Sequence, residues 1–203
     1  MDKRKLSLAL SLVIIGVVGR ISFREFLPDA PHLYITLNGI TLPILMMDMF
    51  FVVAIVSILS GILLGKRYAF AVPLATMLIT DMYYGNNYIL LFTWSGFVMI
   101  GLIGYLSGRR NPLSLKNIPT FFGAGIAGVL LYDLWTNFGC WLGWYPHTVE
   151  GLLLCYTLAI PFTLWHLLST SIAIMATLVP VAYLCERHAN INLRLVKELT
   201  KPQ

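Results

Sequence analysis

Six apolar stretches, each near the ~20 residues a helix needs to cross the hydrocarbon core of a bilayer, occupy residues 6–23, 42–64, 68–84, 88–107, 118–138 and 161–184. Between them the positive charge alternates. All lysines and arginines except Arg20 and Arg24 fall in four clusters: Lys3, Arg4 and Lys5; Lys66 and Arg67; Arg109, Arg110 and Lys116; then Arg187, Arg194, Lys197 and Lys201. Short basic loops stay in the cytoplasm. Every second connection is basic, which predicts an even number of crossings with both termini inside.

With 58% hydrophobic and 11% charged residues, the chain has too little polar surface to coat a soluble globule of its length. The net charge of +5 is spread over four short loops without interleaved aromatics, so it encodes topology, and nucleic acid is not an expected partner. Three cysteines, Cys140, Cys155 and Cys185, lack metal-ligand spacing. No metal or cofactor is predicted. Lys3 to Lys5 ahead of an apolar run has the outline of a signal peptide, but its removal would leave an odd number of crossings. The expectation is therefore an all-α membrane protein, residues 1–203 forming a single six-helix transmembrane domain in a prokaryotic cell (inner) membrane, multi-pass, in contact with lipid.

Two connections stand out. Residues 24–41 contain Pro28, Pro31 and Asn38-Gly39 and read as a long irregular outer loop. Residues 139–160 begin Gly-Cys-Trp-Leu-Gly-Trp-Tyr-Pro-His-Thr and run on into apolar sequence. The apolar run from Gly151 to Leu184 is too long for one crossing, and Pro161 offers a break. A short interfacial or re-entrant helix after Thr148 is predicted, followed by the last span.

On this topology Asp48, Asp81 and Asp133 all lie in the outer half, as do Trp94, Trp135, Trp141, Trp144 and Trp165, and His32, His147 and His166. An interfacial aromatic belt uses both faces of the bilayer, so a one-sided set points to a cavity wall. Carboxylates inside a membrane mark functional sites. The outer half sets Arg20 and Arg24 against Glu25, Asp29, Asp48, Asp81, Asp133 and Glu150. An acidic, aromatic pocket of this kind suits a small planar solute that is cationic or rich in hydrogen-bond donors. The expected solute-binding residues are Arg20, Asp48, Asp81, Trp94, Asp133, Trp135, Asn137, Trp144, Tyr145, His147 and Glu150; no catalytic residue is assigned. The inner half carries small residues at four-residue spacing, among them Ser7, Ser11, Ser57 and Gly61. Such faces allow close helix approach in lipid and are expected to dock a partner.

Several segments carry a family resemblance: Gly19-Arg20-Ile21; Val72-Pro73-Leu74 through Thr80-Asp81; Gly101 through Gly108-Arg109-Arg110; Asp133-Leu134-Trp135; and Trp144-Tyr145-Pro146-His147-Thr148-Val149-Glu150 on to Cys155-Tyr156. With six helices and both ends inside, the chain resembles the substrate-binding S components of energy-coupling factor (ECF) transporters, and in detail an uncharacterised prokaryotic group of S-component-like proteins. Ser7 and Ser11 stand where S components usually have an Ala-xxx-Ala pair, and Leu168-Ser169-Thr170 replaces an acidic position of the close group. The resemblance implies capture of a vitamin- or nucleobase-like solute from outside, with translocation energised by a coupling transmembrane subunit and ATPase subunits. The chain has no Gly-x-x-x-x-Gly-Lys-Ser/Thr loop of its own. The alternative is a stand-alone proton- or sodium-coupled transporter in which the three aspartates relay the ion. An intramembrane hydrolase ranks lower: Tyr132-Asp133 has no Gly-x-Gly-Asp partner, no His-Glu-x-x-His occurs, and His147 with Glu150 offers only an i, i+3 pair.

Overall fold

The computed structural model describes the backbone of residues 2–27, 29, 31–37, 39–85 and 87–199, and side chains as far as 187. Asp2 starts the first helix, α1 (Lys3–Ser22), by accepting the Arg4 N–H at 3.0 Å. A 3-10 turn at Phe23–Phe26 ends it. Residues 34–37 and 40–43, expected partly as irregular loop and partly as the start of a span, instead pair as antiparallel strands. Strand β1 (Tyr34–Leu37) pairs with β2 (Ile40–Pro43), Tyr34 opposite Pro43 and Leu37 opposite Ile40. Gly39, at φ 79°, takes the left-handed backbone that two-residue hairpin turns favour.

The second span is consequently shorter than the apolar stretch suggested. Helix α2 (Phe50–Leu59) runs into a π-helical turn at Ser60–Leu64. The hydroxyls of Ser57 and Ser60 bond back to the carbonyls of Val53 and Ser57 at 2.6 and 2.7 Å, the competition with the helical ladder that serines introduce. Every residue of α2 except Phe51 is buried. A helix that is apolar all round belongs in the interior. α3 (Lys66–Tyr84), α4 (Leu90–Arg110), α1 and α6 (Val149–Leu199) pack around α2, while α5 (Ile118–Trp144) packs between α4 and α6. α1, α4, α5 and α6 are long and apolar enough to cross a membrane. α2 with its π turn is a shorter apolar helix, and α3, of 19 residues, carries Lys66, Arg67 and Asp81.

Two expectations about the last third of the chain are corrected. Gly139 to Trp144 is the final turn and a half of α5, not loop. α6 is continuous from Val149, with Pro161 inside it, so no separate interfacial or re-entrant helix precedes the last span. Pro161 nevertheless marks a change of course. Tyr156 donates to the Leu134 carbonyl and His166 meets Asp133, so over ten residues, about 15 Å of helix, α6 shifts by a single residue along α5. Beyond this stretch the two helices keep step, Ile174 meeting Gly125 eight residues further along each, a change of course that a proline kink permits.

The Thr148 hydroxyl caps α6, accepting the Gly151 N–H at 3.1 Å. Thr148→Ala is expected to cost about 1 kcal/mol, read as a lower unfolding midpoint in mild detergent, with Thr148→Ser close to the parent.

Candidate functional site

Three aspartates, Arg20 and His166 gather within the bundle in two adjoining clusters. In the first, Arg20 in the last turn of α1 reaches α3: its Nη1 contacts the Thr80 hydroxyl and lies 2.6 Å from Asp81 Oδ1. The other carboxylate oxygen accepts the Trp94 indole N–H from α4 at 2.6 Å. The Tyr84 hydroxyl donates to the Arg20 carbonyl at 3.1 Å, and the Arg20 and Arg24 guanidiniums stand 5.7 and 5.9 Å from the Tyr84 ring. Three helices are thereby tied through one carboxylate.

The second cluster centres on His166 of α6. Its Nδ1 is 2.7 Å from Asp133 Oδ1, and its Nε2 is 3.0 Å from Asp48 Oδ2. Both ring nitrogens face carboxylate oxygens, so an imidazolium satisfies both contacts by donation, whereas a neutral ring requires a protonated carboxyl on one side. Asp48 precedes α2; its Oδ1 accepts the Phe50 N–H at 3.0 Å, and its carbonyl accepts the Trp165 indole at 2.9 Å. Phe50 stacks on the imidazole with centroids 4.0 Å apart, and Tyr132 and Phe97 extend the aromatic floor.

Between the clusters lies a cavity of about 140 Å³ lined by Arg20, Asp48, Phe50, Met77, Thr93 and Tyr132. A wider vestibule of about 400 Å³ adjoins it, sharing Arg20, Asp48 and Met49 and adding Arg24, Met47 and Tyr84. Of the expected site residues, the fold brings Arg20, Asp81 and Trp94 together in one cluster and Asp48 and Asp133 in the other. Each of these carboxylates is engaged with a cationic or titratable partner, so the pocket is bipolar rather than simply acidic.

The remaining expected residues lie elsewhere. Trp135 donates to the Ser95 hydroxyl at 2.8 Å and packs on Phe92 and Phe138 at the α4–α5 surface. Trp144, with Tyr88 against its ring, is more than half exposed. Both rings lie on the outer surface of the bundle, outside the two clusters. Asn137 donates to the Asp133 carbonyl; it lines a groove between α5 and α6 together with Asp133 and also, with Trp144 and Tyr145, a cavity of about 390 Å³ near the α5–α6 turn. His147 is exposed beside the Leu142 carbonyl at 2.9 Å, and Glu150 is exposed in the first turn of α6. They do not form a metal or acid–base pair with each other in the described contacts. His166 is the central residue that the site assignment passed over; as a titratable group inside an apolar run it carried the same signal as the aspartates.

A helical membrane protein that keeps two linked ionic clusters within its bundle is thus defined. The chain belongs to DUF6580, a family of unknown function, whose pattern matches residues 2–192. No curated protein and no solved structure matches it.

Proposed function

We propose that this chain is a membrane-embedded capture subunit for uptake of a small, vitamin- or nucleobase-like solute in a prokaryotic cell membrane. The observation that carries the proposal is the vestibule leading to the inner cavity, with Arg20, Arg24 and Asp48 at its polar edge and aromatic rings beneath. Guanidiniums there hold an anionic or acceptor-rich group while Asp48 takes a donor edge, and the rings stack on a planar body. The chain crosses the bilayer six times with both termini cytoplasmic. α2 and its π turn, 15 residues or about 22 Å, are completed by the preceding irregular segment, which is half-buried and tied to α6 by the Met46 N–H on the Pro161 carbonyl, as irregular backbone at membrane depth requires. The basic ends of α1, α3, α4 and α5 then face the cytoplasm, and the vestibule faces outward.

A coupling transmembrane subunit and ATPase subunits energise transport. The exposed face of α1, carrying Ser7 and Ser11 among Leu8, Leu10, Ile14 and Ile15, is the surface offered to them. Ser57 and Gly61, expected to share that role, are buried inside the bundle and do not.

Native mass spectrometry of protein extracted in mild detergent tests the proposal, with a retained small molecule and co-purifying ATPase subunits expected. Arg24 makes no ion pair among the described residues, so Arg24→Ala should weaken solute retention roughly tenfold without altering the unfolding midpoint. Retention equal to that of the parent would place the solute elsewhere. The His166 bridge between two carboxylates favours a second reading, proton- or sodium-coupled transport by the chain alone. Uptake that persists in cells lacking coupling ATPases and collapses with a protonophore selects it.

A further inference from the structure

Among the described residues, the ion-paired side chains inside the bundle do not balance. Arg20 answers Asp81 one for one, while His166 alone stands between Asp48 and Asp133. With every carboxylate ionised and the imidazole protonated, one negative charge remains. The carboxylate atom without an answer is Asp133 Oδ2, which is buried and has no hydrogen-bond partner among the described residues, on a side chain 7% exposed. A carboxylate oxygen left unpaired in a low-dielectric interior is costly. A cationic donor beside it would remove that cost.

Asp133 also lines a groove of about 370 Å³ between α5 and α6, with Leu130, Leu134, Leu153, Ile160 and Leu164 among its walls. Leu130, Leu134, Leu153 and Leu164 are exposed, so the groove opens on the apolar outer surface of the bundle. Thr157 lines it as well. Pro161 has no N–H to give, so the Thr157 carbonyl lacks its helical donor and is a second acceptor in the same place.

We propose that this groove is a lipid-accessible site for a small hydrophobic ammonium compound. Its N–H groups donate to Asp133 Oδ2 and the Thr157 carbonyl, its charge balances the Asp48–His166–Asp133 set, and its apolar body lies against the leucines. The site is separate from the vestibule: Asp48, on the opposite ring nitrogen of His166, faces that side.

Three probes built on one cage test the assignment on the full chain in lipid nanodiscs: 1-adamantylamine, 1-adamantanol and adamantane-1-carboxylate. The amine is expected to raise the unfolding midpoint saturably, the alcohol weakly and the carboxylate not at all. Asp133→Asn should weaken the amine roughly tenfold or more. Leu153→Trp, which fills the groove and leaves Asp48, His166 and Asp133 in place, should do the same and decides the matter if Asp133→Asn does not fold. Arg24→Ala should leave amine binding unchanged. Equal shifts from all three probes, parental amine affinity in Leu153→Trp, loss of amine binding in Arg24→Ala, or a shift fully reproduced by sodium ion alone would each overturn the proposal.

Discussion

Replacing His166 with alanine should lower the stability of the protein by about 3–5 kcal/mol, the cost of breaking a buried ion pair from one side. The loss falls unequally. Asp48 is 40% exposed at its side chain and can turn to water, whereas Asp133, at 7%, cannot. Removing the stranded charge as well, in Asp133→Ala/His166→Ala, should recover much of the loss, because the remaining deficit is packing against Phe50 rather than an unpaired carboxylate. Unfolding midpoints of the two variants in mild detergent measure this. A single variant as stable as the parent would show that His166 does not hold the carboxylates in place. Equal losses in the single and double variants would assign the effect to the lost stacking.

The second large effect is expected at Gly61. A Cβ there would meet the Gly101 carbonyl oxygen and the Tyr105 amide nitrogen of α4, and neither is a side chain able to move aside. The same interlock recurs from the other helix: a Cβ on Gly104 would stand 3.0 Å from the Ile58 Cα, and one on Gly108 2.9 Å from the Ile62 Cα. The two helices therefore touch backbone to backbone, the geometry small residues allow in lipid. Gly61→Val should cost at least about 3 kcal/mol, at the upper end of overpacking penalties, or prevent accumulation of folded protein. Gly123→Ala is the matched control. Nothing lies within 4 Å of a Cβ there, so the helical preference for alanine should add up to about 1 kcal/mol. If Gly61→Val unfolds like the parent, α2 and α4 are not in this contact.

That interlock also shows where small-residue spacing misleads. Ser7, Ser11, Ser57 and Gly61 share one pattern in the sequence, yet Ser57 is fully buried and Gly61 is pressed onto α4, while Ser7 and Ser11 are exposed on α1. Periodicity reports that a face is small; it does not report which helix comes to it. The tryptophans divide for the same reason. Trp94 and Trp165 turn inward to Asp81 and Asp48, while Trp135 and Trp144 lie on the surface at the same end. Their level along the bundle is a property of position in the chain, but their direction depends on the rotation of each helix.

Hydropathy and the alternation of basic clusters determined the class of the protein, the approximate helices and the gathering of carboxylates at one end, because burial in lipid and charge placement act on each segment by itself. Helix α2 was overestimated because the mostly apolar residues 42–49 satisfy the same hydropathy as a helix, while hairpin pairing takes Leu42 and Pro43 and the Asp48 carboxylate caps the helix start by accepting the Phe50 N–H. Only the tertiary structure decided the pairing of charges. His166 lies 33 residues from Asp133 and 118 from Asp48, and three separately anchored segments must pack before its two nitrogens can reach both. No local pattern encodes that meeting, since it depends on the packing of helices around α2 and of α6 against α5.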